Sequence, residues 1–252
     1  MREIRVYVPG PLAAGADLPL PAQAASHVAK VLRLRAGAAL TVFDGRGGEW
    51  EALVERVAGT TVTVRLGGHD AVERESPLRV TLLQALARGE KMDWVLQKAT
   101  ELGVARLVPV ATERSVVQLD AGRAERRLEH WQGIVASACE QCGRNRLPEV
   151  LAPQSLAAAC EQAAQSAARV RLVLAPEATA SLATAAAAAE TGVREVTLLI
   201  GPEGGLSPAE LRVAAQAGFV AVTLGPRVLR TETAAIAALS VLQLVGGDFG
   251  EP

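Results

Sequence analysis

At 252 residues, half of them apolar and only 3 % aromatic, the chain can bury one large or two modest domains around a core of Ala, Val and Leu. A formal net charge of −1 excludes a globally basic nucleic-acid binder, so any RNA contact has to come from a local patch. The charged opening MREIRVYVPG does not read as a signal peptide, no apolar run reaches the roughly 20 residues that span a bilayer, and three cysteines do not make a disulfide framework; a soluble, cytoplasmic protein is expected.

Residues 1–74 read as a small β-rich module. Ile4, Val6 and Val8 alternate with polar neighbours, and Leu40, Thr41, Val42 and Phe43 run into the turn signal Asp44-Gly45. Residues 50–57 and 61–66 flank Ala58-Gly59-Thr60, which predicts a hairpin. Only residues 26–34 have helical spacing, with Val28, Val31 and Leu32 on one face. The charged stretch 72–76 and Pro77 mark the end of the module.

Residues 75–250 follow a different pattern. An apolar strand over 78–86 precedes Met92, Val95, Leu96, Ala99 and Leu102, which recur at helical spacing and stop at Gly103. A strand over 106–110 is followed by a second amphipathic helix, carrying Leu128, Trp131, Ile134, Val135 and Ala138 and closed by Gly143. Strands over 169–174, 195–200 and 220–224 follow, with an alanine-rich packing helix over 179–190. Strands alternating with helices predict a mainly parallel sheet covered on both faces.

Two segments in this half share one design. Thr197 to Ile200 is an apolar strand; Gly201-Pro202-Glu203-Gly204-Gly205-Leu206 is a glycine-rich loop; Ser207-Pro208-Ala209-Glu210 carries an N-cap, a first-turn proline and the acid of a capping box. The second segment runs Val222-Thr223-Leu224, then Gly225-Pro226-Arg227-Val228-Leu229-Arg230, then Thr231-Glu232-Thr233 opening a capped helix. Ligands in open α/β sheets bind beyond the carboxyl ends of strands, so two adjacent loops of this kind predict one pocket. The first loop lacks the Lys-Ser/Thr of a phosphate-binding P-loop, and no G-x-G-x-x-G follows an early strand, which argues against a Rossmann dehydrogenase. A glutamate in the loop suits a neutral or cationic ligand held by backbone groups. Cys139 and Cys142, three apart in a helix and far from Cys160, read as packed small side chains, and His27, His69 and His130 have no ligand spacing; no metal is expected.

These two segments, with Lys98 to Val104, Thr112 to Ser115, Glu140 to Arg144, Arg2 to Val8 and His27 to Arg35, resemble the knotted SPOUT methyltransferases. More narrowly they resemble the RsmE family, 16S ribosomal RNA uridine-N3 methyltransferases, across nearly the whole chain and in the family's order. Cys142 stands where the family often has serine. The resemblance implies an α/β protein with an N-terminal PUA-like β-barrel that grips RNA and a C-terminal SPOUT trefoil-knot domain. It implies a homodimer acting on 16S rRNA of the small ribosomal subunit, with no membrane partner. S-adenosyl-L-methionine would lie among three loops: Leu174, Pro176 and Glu177; Ile200, Gly201, Pro202, Glu203, Gly204 and Gly205; and Leu224, Gly225, Val228, Leu229, Arg230 and Thr231.

Methylation of uridine N3 requires loss of a proton, which calls for a carboxylate to accept it or an arginine to favour the anionic base. Glu232 and Arg230 are the first candidates, with Glu203 holding the loop or the methionine amine. Arg114, Glu140 and Arg144 are carried over from family motifs as groups facing the target base, either within one subunit or across the dimer. RNA contact is expected at Arg2, Arg5, Lys30, Arg33 and Arg35. Methylation of transfer RNA or of a ribose 2′-hydroxyl, and a non-catalytic RNA-binding role, stay open on the residues alone.

Overall fold

The computed structural model describes residues 4–115, 121–187 and 194–250. The chain forms two compact units, residues 1–75 with 136–147 and residues 76–135 with 148–252. A break near residue 75 is readable in the sequence; the grouping of 136–147 with the first unit is not.

In the first unit, β1 (Arg5–Tyr7), β2 (Asp17–Pro19), β3 (Ala39–Phe43), β4 (Glu49–Ala58) and β5 (Thr61–Asp70) form a sheet in the order β1-β3-β4-β5-β2. β1 runs parallel to β3, the other pairings are antiparallel, and β4 and β5 make the expected hairpin. Period-two alternation buries Trp50, Ala52 and Val54 of β4 with Val62, Val64 and Leu66 of β5 and turns Glu51, Leu53 and Glu55 outward. Ala25 and Val28 join this core from α1 (Ala22–Ser26) and the π-helical turn His27–Val31 that continues it.

The helix expected over 26–34 is therefore displaced and cut short. Arg33 takes φ +52°, a left-handed conformation that costs a side-chain-bearing residue about 1–2 kcal/mol, and the Leu34 N–H turns back to the Val28 carbonyl at 3.1 Å. Val28 is buried as expected, whereas Val31 is 67 % exposed.

The second unit is built on a parallel sheet. β6 (Arg79–Ala85) leads through α2 (Lys91–Glu101) to β7 (Val104–Ala111), and α3 (Ala121–Cys142) leads to the short β8 (Glu149–Val150) and β9 (Gln154–Ser155). Then come α4 (Leu156–Gln165), β10 (Val170–Leu174), α5 (Leu182–Ala187), β11 (Glu195–Ile200), α6 (Pro208–Gln216), β12 (Val220–Val222) and α7 (Thr231–Gly246). The strand order is β12-β10-β11-β6-β7-β8, with β9 also paired to β7, and every pairing is parallel. β11 lies between β6 and β10, strands that precede it in the chain, in the SPOUT α/β arrangement that the resemblance implies. The central strands are near-continuous apolar runs, as burial of both faces demands; Gln84 and Thr197 are the buried polar exceptions in β6 and β11. No described helix is long and apolar enough to cross a membrane.

From Ala136 onward, α3 and the segment after it are tied into the first unit. The Tyr7 N–H donates to Glu140 Oε1 at 2.9 Å, Arg144 Nε donates to Glu75 at 2.9 Å, and Asn145 Nδ2 donates to the Val72 carbonyl at 2.9 Å. Cys139 is buried here, and burial pushes its thiol up to about 12, which suits a packing role.

Candidate cofactor pocket and active site

Because β10, β11 and β12 are parallel, their carboxyl ends share one edge of the sheet. The loops leaving them enclose a cavity of about 510 Å³, within the usual range for a small-molecule site. Leu174, Ala175, Pro176 and Glu177 line it after β10, residues 200–206 after β11, and residues 222–224 and 227–231 on the way from β12 into α7. Leu211, Ala234 and Arg114 complete the lining. Of the fifteen cofactor-loop residues expected from sequence, Gly225 alone is not on this surface.

Local chemistry shapes the first loop. Gly205 sits at φ +69°, and a Cβ on Gly201 would come within 3.1 Å of Leu206 Cγ and 3.3 Å of the Leu206 nitrogen. α6 then starts with the expected capping box: Ser207 Oγ accepts from the Glu210 N–H at 3.2 Å and Glu210 Oε2 accepts from the Ser207 N–H at 2.8 Å. Glu210 does more than cap, since its Oε1 also accepts from the Glu113 N–H at 2.8 Å and anchors the loop after β7. From that loop Arg114 reaches over, and its Nη1 donates to the Gly204 carbonyl at 2.8 Å.

The second loop is held differently from the sequence expectation. Arg230 occupies the N-cap of α7, and no side chain caps the helix. The Thr231 hydroxyl, buried, instead donates to the Gly201 carbonyl at 2.7 Å and accepts from Gln84 Nε2 at 2.9 Å. Thr231 thus joins β6, the β11 loop and α7.

Lys91 Nζ lies 3.0 Å from Oε1 of the cavity-lining Glu203 and 3.7 Å from Glu232 Oε2. Burial pushes the Glu203 carboxyl up, but hydrogen bonds from its own N–H, from Lys91 and from the Arg88 N–H outweigh this and hold it below the usual carboxylate range. Glu232 Oε2 is buried and has no hydrogen-bond partner. The site thus places a strand-end cavity next to a helix start whose Glu232 keeps one buried carboxylate oxygen without a hydrogen-bond partner.

Residues 74–243 match the RNA methyltransferase domain family and residues 20–67 the RNA methyltransferase PUA domain family. Over 97 % of both chains, the protein is 32 % identical to the ribosomal RNA small subunit methyltransferase E of Buchnera aphidicola subsp. Schizaphis graminum. The chain belongs to the RsmE family of RNA methyltransferases. Two solved structures extend the match. A methyltransferase from Legionella pneumophila in complex with the bound cofactor SAM is 43 % identical with a TM-score of 0.91, covering 99 % of this chain and 100 % of that one. An RsmE from Neisseria gonorrhoeae bound to S-adenosyl methionine is 36 % identical with a TM-score of 0.88, covering 98 % and 100 %.

The remaining candidate residues of this RsmE-family chain fall in three places. Arg114 and Arg230 line the cavity, and Glu232 stands beside it in the first turn of α7. Glu140 and Arg144 belong to the first unit: Glu140 receives the Tyr7 N–H, burial pushing its carboxyl up, and Arg144, 5 % exposed at its side chain, is paired with Glu75. Within this chain both side chains make ties inside that unit, and neither lines the cavity. Arg5 is also withdrawn from solvent, since its Nη1 donates to Glu49 at 2.6 Å, its Nη2 donates to Asn145, and the guanidinium lies over the Phe43 ring. It cannot offer that face to a phosphate. Lys30, Arg33 and Arg35 are exposed, and Arg2 lies outside the described residues. Sequence reading missed Lys91 and Gln84, whose partners in the fold lie 112 and 147 residues away. Lys91 in the first helical turn, where the helix dipole disfavours a cation, is the one local hint.

Proposed function

We propose that this RsmE-family chain transfers a methyl group from S-adenosyl-L-methionine to N3 of a uridine in 16S rRNA of the small ribosomal subunit, acting as a cytoplasmic homodimer. The observation that carries the reading is the strand-end cavity with the unpartnered Glu232 Oε2 beside it. Close relatives from Legionella and Neisseria, solved with the same cofactor, support it.

The residues present fit the cofactor. Leu174, Ile200, Leu224 and Leu229 offer apolar surface to an adenine ring, the bare backbone at Gly201 and Gly205 allows close approach, and Glu203 or Glu177 offers a carboxylate to the ammonium or the ribose hydroxyls. S-adenosylmethionine, when bound, supplies a methyl carbon made electrophilic by its sulfonium, which the N3 lone pair takes up as the C–S electron pair returns to sulfur. The protein's own contribution is positioning and proton removal. Glu232 accepts the N3 proton through the oxygen that has no donor of its own. The loss of that proton leaves negative charge on the uracil oxygens, and Arg230, which lines the cavity, offsets it. Arg114, fixed on the Gly204 carbonyl, adds a second positive charge.

In the first unit, Lys30, Arg33 and Arg35 form the RNA-contacting stretch. A π-helical turn followed by a left-handed arginine is a strained conformation of the kind concentrated at binding sites. The test is nucleoside mass spectrometry on small subunits from a strain lacking the modification, after incubation with the purified protein and labelled cofactor. The expected product is 3-methyluridine; methyl on a ribose would overturn the base-methylation reading.

A further inference from the structure

Arg88 and Arg227 are exposed arginines of the second unit that take no part in methyl transfer itself. Arg88 follows the end of β6, and Arg227 lies on the connection from β12 to α7. Both strands end at the carboxyl edge of the sheet with β10 and β11 between them, and the loops of β10 and β11 are walls of the cavity. Arg227 is part of the lining, and the Arg88 N–H donates at 3.4 Å to the cavity-lining Glu203. Each backbone is thus placed at the site, while neither guanidinium has a partner among the described residues.

The acids on this edge do not neutralise them. Glu203 takes the Lys91 ammonium at 3.0 Å and from Arg88 only the main-chain N–H. Glu90, Glu113 and Glu177, on the loops after β6, β7 and β10, are exposed, and their carboxylates form no ion pair among the described residues. Beside Arg227, Val228 lines the cavity and is 81 % exposed, the most exposed large apolar side chain among the described residues. An apolar side chain flanked by free guanidiniums matches a nucleotide, which offers a flat base and an anionic phosphate.

We propose that Arg88 and Arg227 grip the RNA backbone on the two sides of the target nucleotide, each holding one flanking phosphate while the base passes over Val228 into the cavity. This rests on the reading of the chain as an RNA base methyltransferase. A stacked base is out of reach of a donor held at a sheet edge, so the nucleotide has to be unstacked, and its flanking phosphates then lie next to the site. A guanidinium suits them because it stays charged and offers paired N–H donors. The ion pair between Lys91 and Glu203 keeps the loop carboxylate from capturing the Arg88 guanidinium.

The experiment follows co-sedimentation of the S-adenosyl-L-methionine-loaded protein with small ribosomal subunits at several salt concentrations, with cofactor affinity measured separately by calorimetry. Arg88→Ala should weaken subunit binding about tenfold at low salt and lower the slope of log affinity against log salt by about one. Its cofactor Kd and Tm should stay at their wild-type values. Arg88→Lys, which keeps the charge, should recover the slope. Arg227→Ala should weaken subunit binding in the same way, and the double variant should lower the slope by about two. An unchanged slope in either single alanine variant would overturn the proposal. A cofactor Kd that rises in Arg88→Ala with no change of slope would also overturn it, since the arginine would then serve the methionine carboxylate. Wild-type protein that binds subunits and cofactor and forms no 3-methyluridine would instead overturn the functional reading beneath it, while the salt slopes still decide the phosphate contacts.

Discussion

The Thr231 hydroxyl donates to the Gly201 carbonyl at 2.7 Å while it accepts from the buried amide of Gln84 at 2.9 Å. One side chain therefore fixes the spacing of the two loops that face each other across the cavity, and it does so from the residue where α7 begins. Thr231→Val keeps the shape and removes both bonds, leaving the Gln84 amide and the Gly201 carbonyl short of a partner. Denaturant unfolding should show a loss of about 1–3 kcal/mol, and cofactor affinity should fall with it. Unchanged stability would mean that the loops are held by packing alone.

The catalytic assignment separates binding from chemistry. Glu232→Gln should leave the cofactor Kd nearly unchanged and lower the single-turnover rate by roughly 10²–10⁴-fold, the usual contribution of a positioned base. Arg230→Ala should cost about 100-fold in rate, as for one removed charge-stabilising donor, with a weaker effect on cofactor binding. Full activity in either variant would remove that residue from the site.

Arginines in the first unit divide by burial. Arg5→Ala strands Glu49 and Asn145, so it should destabilise the protein by about 3 kcal/mol, read as a drop in Tm, and leave the salt dependence of RNA affinity unaltered. Lys30→Ala, Arg33→Ala and Arg35→Ala combined should leave Tm nearly unchanged. That triple variant should reduce the slope of log affinity against log salt by about two to three. Filter binding at several salt concentrations checks both.

Glu49 gives a pH signature to the same cluster. Burial pushes its carboxyl up, but hydrogen bonds from Arg5, Arg74 and Asn145 outweigh this and hold it below the usual range. A carboxyl depressed in the folded state contributes stability that is present above its unfolded value and lost as pH falls through the folded one. The stability gap between wild type and Glu49→Gln should therefore be full at neutral pH and close as pH drops below about 4. A gap that does not change with pH would contradict the assignment.

The cofactor loops were legible in the sequence because their information is local. A strand end, a glycine-proline turn and a helix start lie within a dozen residues, and Ser207, Pro208 and Glu210 cap α6 as their spacing implies. The start of α7 was not legible in this way: Thr231 reads as a capping residue, but in the fold its hydroxyl is drawn to Gly201 and Gln84. Lys91 and Gln84 escaped notice for the same reason, since only strand pairing brings each to partners far along the chain. The motif from Glu140 to Arg144 stood out, but its role in the fold depends on which unit the end of α3 joins, and helical periodicity carries no such information. Residues 26–34 misled because apolar spacing alone does not register a left-handed arginine at position 33.

The central claim is that the three strand-end loops jointly hold a sulfonium methyl donor. A crystal structure at saturating S-adenosyl-L-methionine tests it most directly. The account predicts ligand density bounded by residues 174–177, 200–205 and 224–231, with the methyl group on the side where Glu232 stands; a cavity without ligand under those conditions, or ligand bound elsewhere on the chain, would contradict it.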